Sequence, residues 1–221
     1  MPAYYGAKQL FRNRLSTRPV REIYLGTNRV MGYANAQYSA DEITTKAINN
    51  VEKPPTIKGT GSAISVSTTG YASGYAYSKY YCDRIEATMM YAGNYYFYDS
   101  SGNTIVSIEC DCTFSYATAR WTLSCKASVL GKQIINTSKS SSNMDSNRLA
   151  IKIYYNFTTS QWNIEYGGST YASDTTEWQP TYFCVMPQMW FIISQYDSQF
   201  FNGTITLTKI ERAYGYPQAK T

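Results

Sequence analysis

Strict alternation of apolar and polar residues recurs along this chain, and few structures other than β-sheet satisfy it. In 105–114, Val106, Ile108, Cys110, Cys112 and Phe114 face one way, while Ser107, Glu109 and Asp111 face the other. In 121–129, Trp121, Leu123, Cys125, Ala127 and Val129 alternate with Thr122, Ser124, Lys126 and Ser128. Leu149, Ile151, Ile153, Tyr155 and Phe157 line one face of 149–157, and Trp162, Ile164 and Tyr166 resume it after a turn at Thr158–Gln161. Successive side chains of a strand point to opposite faces, so each run offers one face to a core and one to water. Asp99-Ser100-Ser101-Gly102 supplies a hairpin turn, and 203–210 reads as a closing strand. Alternating runs separated by turn signals predict an all-β chain, an antiparallel β-sandwich or jelly-roll-like domain. The segment 137–147, TSKSSSNMDSN, reads as a polar exposed loop.

The first fifty residues are built differently. Residues 1–30 hold Lys8, Arg12, Arg14, Arg18, Arg21 and Arg29 against Glu22 alone, a net of +5 that equals the formal charge of the whole chain. The rest is balanced, fourteen basic against fourteen acidic groups. Such a block predicts an extended arm that binds something acidic. Within it, Ile23 and Leu25 alternate with Glu22 and Tyr24, and Gly26-Thr27-Asn28 forms a turn before Val30, which predicts a β-hairpin. The spacing of Ile43, Ala47, Ile48 and Val51, with Ser39 and Glu42 as a capping box, allows one short helix over 39–52. Pro54-Pro55 ends it. The expected organisation is an attachment arm over 1–53 and a display domain over 56–221.

Composition narrows the chemistry. The chain of 221 residues has no histidine. Histidine is the commonest general base and metal ligand, so Ser-His-Asp and Cys-His systems and ordinary zinc sites are excluded. Carboxylate pairs remain: Asp83 with Glu86, Glu109 with Asp111, Glu165 with Asp174. Of these, Glu109 and Asp111 share a face by strand parity, as solvated surface carboxylates usually do. The expectation is a non-enzymatic chain with no catalytic residue, no metal and no cofactor. Cys82, Cys110, Cys112, Cys125 and Cys184 are an odd, irregular set without a CxxC pair, read as small buried side chains. One disulfide, of Cys110 or Cys112 with Cys125, is the alternative. No run of about 20 apolar residues is present to span a membrane, and the start of the chain lacks the apolar core of a secretory signal.

Two groups of residues are candidate contact surfaces. In the arm, Arg12, Arg14, Arg18, Arg21, Tyr24 and Arg29 combine guanidinium groups with aromatic rings, a composition that favours docking on a protein surface over nucleic acid. In the body, aromatic residues make up 16% of the chain and 23 of them are Tyr. They crowd into GYASGYAYSKYY at 70–81 and YAGNYYFY at 91–98. Tyr71, Tyr75, Tyr77 and Tyr80 are expected either to fill the core or to contact an oligomer partner or a glycan. Sequons at Asn136, Asn156 and Asn202 are weak signals in an Asn- and Thr-rich chain.

The segment Ile23-Tyr24-Leu25-Gly26-Thr27-Asn28-Arg29-Val30 resembles a hairpin, IYLG followed by three residues and Val, found near the start of tailed-bacteriophage virion proteins. The Tyr- and Asn-rich body is similar in style to structural proteins of crAss-like gut phages. The resemblance implies a head-fibre, auxiliary capsid or tail-attachment protein. It would be assembled into the virion in the host cytoplasm and docked on other virion proteins through its arm. The β domain would face outward in a homo-oligomer, with a carbohydrate-binding adhesin as the alternative.

Overall fold

A computed structural model describes residues 23–25, 28–36, 43–47, 55–60, 63–68, 74–79, 81–90, 92–142, 148–188, 190–193 and 198–214. Two antiparallel sheets pack face to face as a β-sandwich of jelly-roll type. The larger sheet has nine strands. Its main path runs β1 (Ile23–Leu25), β2 (Asn28–Ala36), β18 (Thr204–Tyr214), β7 (Cys82–Met90), β12 (Arg148–Asn156), β13 (Gln161–Tyr166) and β14 (Ser169–Ala172). From β18 it branches to β5 (Ala63–Ser67), which pairs with β4 (Thr56–Thr60). The smaller sheet has seven strands: β11 (Lys132–Ser141), β10 (Arg120–Val129), β9 (Thr104–Ser115), β8 (Ala92–Asp99), β15 (Thr181–Gln188), β6 (Gly74–Ser78) and β3 (Ile43–Ala47). A separate hairpin joins β16 (Trp190–Ile193) to β17 (Ser198–Phe201).

The core is the sum of the inward halves of the alternating runs. Ile85, Ala87 and Met89 of β7, Ile151 and Ile153 of β12, and Ile205 and Leu207 of β18 meet Tyr95, Phe97, Val106, Ile108, Phe183 and Val185 of the other sheet. Trp162 is fully buried and crosses the sandwich, with ring centroids 4.9 Å from Phe97 and 5.7 Å from Tyr155. Each such side chain contributes roughly 1.5–3 kcal/mol by leaving water. The sheets pack tightly at Gly93, where an added Cβ would lie 2.8 Å from Ile205 Cδ1. The turn after β8 is held by the Asp99 carboxylate, which accepts from the amides of Ser101 and Asn103 at 2.8 and 2.9 Å, and Gly102 takes a φ of 90°. All five cysteines are buried free thiols. Cys110 and Cys125 stand directly opposite on β9 and β10.

Two expectations change. The short helix allowed over 39–52 is absent at Ile43–Ala47, which is a strand paired along its length with β6. Ile43, Thr44 and Thr45 are β-branched and stiff, so the local preference agrees with an edge strand. The loop drawn over 137–147 does not hold at its start, and 143–147 lie outside the described residues. Thr137–Ser141 continue β11, whose polar side chains suit the outside of a sheet edge, and Thr122 Oγ1 and Ser140 Oγ lie 3.2 Å apart across the β10–β11 pair. The hairpin of β1 and β2 forms, with Leu25 opposite Asn28, and β2 pairs onward with β18. Strands β2 and β3 therefore carry the sheets across the division drawn between 1–53 and 56–221. Among the described residues there is no helix, hence none long and apolar enough to cross a membrane.

Candidate functional site

The outer face of the seven-stranded sheet is where the tyrosines gather. On β6, Ala76 is buried and Tyr75 and Tyr77 point out; on β8, Tyr95 and Phe97 are buried and Tyr96 and Tyr98 point out. Strand β15 lies between them, with Phe183 and Val185 inward and Tyr182 outward. Register brings the outward residues into rows. Cys184 stands between Tyr77 and Tyr96, and Tyr182 stands opposite Tyr98. Tyr98 stacks on Tyr182 at 5.4 Å and 28°, and on Tyr96 at 5.9 Å and 29°. Tyr75 and Tyr77 form a second pair at 5.8 Å and 48°.

Between the two tyrosine groups the small side chain of Cys184 leaves a depression of about 260 Å³. Tyr75 and Tyr77 form one wall, Tyr98 and Tyr182 the other, and Cys184 and Met186 the floor. Lys46 of β3, opposite Tyr75 in register, closes one end. Pockets that enclose a whole small molecule run from roughly 300 to 1,000 Å³. A half-open slot below that size suits one ring of a longer ligand lying on the surface.

The slot is chemically quiet. Burial, with Cys184 and the neighbouring phenols, pushes the Tyr98 phenol up to about 12. Burial also raises Tyr182, with Cys184 adding to it, and raises Tyr96, where the Glu109 charge adds to it. Burial pushes the Cys184 thiol up to about 12, so it is an inert floor and not a nucleophile. The phenols of Tyr96, Tyr98 and Tyr182 stay neutral at physiological pH, and every tyrosine of the slot keeps an apolar face and a hydroxyl that both donates and accepts. Beyond Tyr96 the same face turns polar. Asn94 stands opposite Glu109, and Glu109 opposite Lys126; Ser107, Asp111 and Ser124 lie beside them.

The structure sorts the expected residues. Tyr75 and Tyr77 are in the slot; Tyr71 and Tyr80 lie outside the described residues. Arg12, Arg14, Arg18 and Arg21 also lie outside them, while Tyr24 and Arg29 are backbone partners in the β1–β2 hairpin. Tyr96, Tyr98, Tyr182, Lys46 and Cys184 complete the site. Tyr96 and Tyr98 were readable from the parity of YYFY at 95–98, but the other three needed the pairing of distant strands. Among the carboxylates, Glu109 and Asp111 are exposed together on β9, with Asp111 Oδ1 accepting from the Cys112 amide at 2.8 Å. Glu86 pairs with Arg84 at 2.6 Å, Glu165 with Lys152 at 2.8 Å and Asp174 with Lys132 at 2.8 Å. Asp83 is buried. Among the described residues no three acidic or cysteine side chains gather as a metal would require.

A second, smaller hollow of about 190 Å³ lies on the nine-stranded sheet and includes Arg84, Tyr154 and Glu211. Its charges are spoken for. Arg84 sits 4.9 Å from the Tyr154 ring centroid and is bonded to Glu86, while Lys209 lies 3.1 Å from Glu211.

No protein-family model matches the chain, and no curated protein does. Among solved structures, the kappa-carrageenase from Pseudoalteromonas carrageenovora is 10% identical with a TM-score of 0.42, over 91% of this chain and 99% of that one. The Bacillus licheniformis β-glucanase is 10% identical with a TM-score of 0.41, over 86% and 98%. The alginate lyase from Alteromonas sp. 272 is 8% identical with a TM-score of 0.39, over 78% and 95%. At these identities the likeness is one of fold. The expectation of a non-enzymatic chain is withdrawn: structures of this fold include glycoside hydrolases and lyases, although the likeness assigns no activity to this chain. Absence of histidine is no ground for excluding catalysis on such a sandwich, since a pair of carboxylates suffices to cleave a glycosidic bond.

Proposed function

We propose that this chain is a virion structural protein of a tailed phage whose outward sandwich binds carbohydrate in the tyrosine slot. The observation that carries the binding half is the slot: two pairs of tyrosines on neighbouring strands, set apart by a small side chain. Tyrosine faces stack on the apolar face of a sugar ring while their hydroxyls meet its hydroxyls. A flat sheet face beyond the slot, lined by Asn94, Glu109, Ser124 and Lys126, has the polar character to hold the sugars that follow.

The virion half rests on the arm. All of the net charge lies in the first 30 residues, and the hairpin segment at their end, Ile23–Val30, resembles that of phage virion proteins. An Arg-rich segment of this kind docks on an acidic protein surface. The partners are then other virion proteins, with further copies of this chain beside it.

The binding half is tested by probing immobilised glycans with the purified chain and with Tyr77→Ala and Tyr98→Ala. Each substitution is expected to weaken binding roughly two- to tenfold, in keeping with aromatic stacking energies of about 0.5–1.5 kcal/mol. Binding that survives both substitutions removes the slot from the mechanism. Release of new reducing ends during the same incubation would move the reading from binding to cleavage.

A further inference from the structure

Resting on the proposal that the slot binds sugar, we infer that its ligand is an acidic polysaccharide, with a carboxylate or sulfate of the stacked ring held by Lys46. Lys46 is the one charged side chain among the described residues that line the slot. It projects from β3 on the same face as Tyr75, its register partner, so the ammonium stands at the rim of the aromatic wall. It is also unclaimed. Lys132, Lys152 and Lys209 each reach a carboxylate at 2.8 to 3.1 Å, whereas no carboxylate of the described residues pairs with Lys46.

The sign of the field follows from position. The acidic residues that act on the tyrosines are Glu109, opposite Asn94 and acting on Tyr96, and Asp99, opposite Thr181 and acting on Tyr182; both lie on the β8 side of the slot, across β15 and β6 from Lys46. A ring stacked between Tyr77 and Tyr98 therefore has a cation at one end and, past Asn94, an anion further along the sheet. A neutral sugar would leave the ammonium idle. A uronate or sulfated sugar would satisfy it with a charge-assisted hydrogen bond, strengthened by the low-dielectric tyrosine walls. Glu109 would then accept hydroxyl hydrogen bonds from a neighbouring sugar without facing the acidic group.

The test uses two matched pairs of polymers that differ in charge: polygalacturonate with its methyl-esterified form, and dextran sulfate with dextran. The full chain is run in affinity electrophoresis against each. The expected result is retardation by at least one acidic member and little by its neutral counterpart. Lys46→Met should weaken that binding about tenfold, and Lys46→Arg should retain most of it. Lys46 is exposed, so neither change threatens the fold. Equal retardation by neutral and acidic members, lost in Tyr77→Ala, would overturn the acidic class and leave the slot standing. Binding of the acidic polymer that is unmoved by Lys46→Met, Tyr77→Ala and Tyr98→Ala would place the polyanion on the basic arm and overturn both readings. Retardation by none of the four would likewise overturn both.

Discussion

At the residue scale the slot depends on one small side chain. Cys184 is only 5% exposed, yet its position in the row Tyr77–Cys184–Tyr96 sets the depth of the depression. Replacing it by leucine fills the space from the outer face without entering the sandwich core. Cys184→Leu is therefore expected to keep a melting temperature close to that of the parent and to lose glycan retardation. A large drop in melting temperature would mean that Cys184 is packed as core. The titration of Tyr98 gives a second prediction. Its phenol ionises near 10.0 when unfolded and at about 12 when folded, because burial and its neighbours disfavour the phenolate. A raised folded value stabilises the fold below the unfolded value and loses that contribution as pH rises. Denaturant midpoints should thus fall between pH 10 and 12, and Tyr98→Phe should fall less over the same interval.

At the scale of elements, β3 decides whether Lys46 is in place. Gly74 begins β6 directly opposite Ala47, and a Cβ there would lie 2.2 Å from the Lys46 carbonyl oxygen and 2.7 Å from Pro55 Cδ. A backbone oxygen cannot swing aside as a side chain can. Gly74→Ala should push β3 away from β6, with a loss of roughly 1–3 kcal/mol typical of overpacking. Faster amide exchange in 43–47, together with weaker binding of the acidic polymer, would show it; unchanged exchange would mean that the edge absorbs the methyl group. This element also marks the limit of what sequence conveys. Strands β9, β10, β12 and β13 were legible because one face of each is core and the other solvent, so alternation reports their parity. β3 has only Ile43 well buried, and a five-residue edge strand carries too few apolar positions to tell period 2 from period 3.6. β11 failed for the same reason, with polar residues on both faces of an edge. The slot was half legible: parity gives the outward tyrosines of β6 and β8, but the placing of β15 between them follows from pairings across roughly a hundred residues that no local pattern encodes.

At the scale of the molecule, the question is where the arm stops and the sandwich starts. β2 is a strand of the nine-stranded sheet, laid against 210–214 of β18, so the charged segment cannot be removed wholesale. Cutting after residue 36 would strip β2 from β18 and leave backbone donors and acceptors of a sheet strand unpaired, a recognised route to aggregation. Cutting after residue 22 spares both strands of the hairpin while removing Lys8, Arg12, Arg14, Arg18 and Arg21. The shorter deletion is expected to melt like the full chain and to bind glycan through the slot, but to fail to co-sediment with particles. The longer one is expected to melt several degrees lower, in line with a loss of about 1 kcal/mol or more in a domain of this size. If the chain lacking residues 1–22 still enters particles at full occupancy, docking does not run through the arm. If both deletions melt alike, β2 contributes nothing to the sheet, and the arm extends through residue 36.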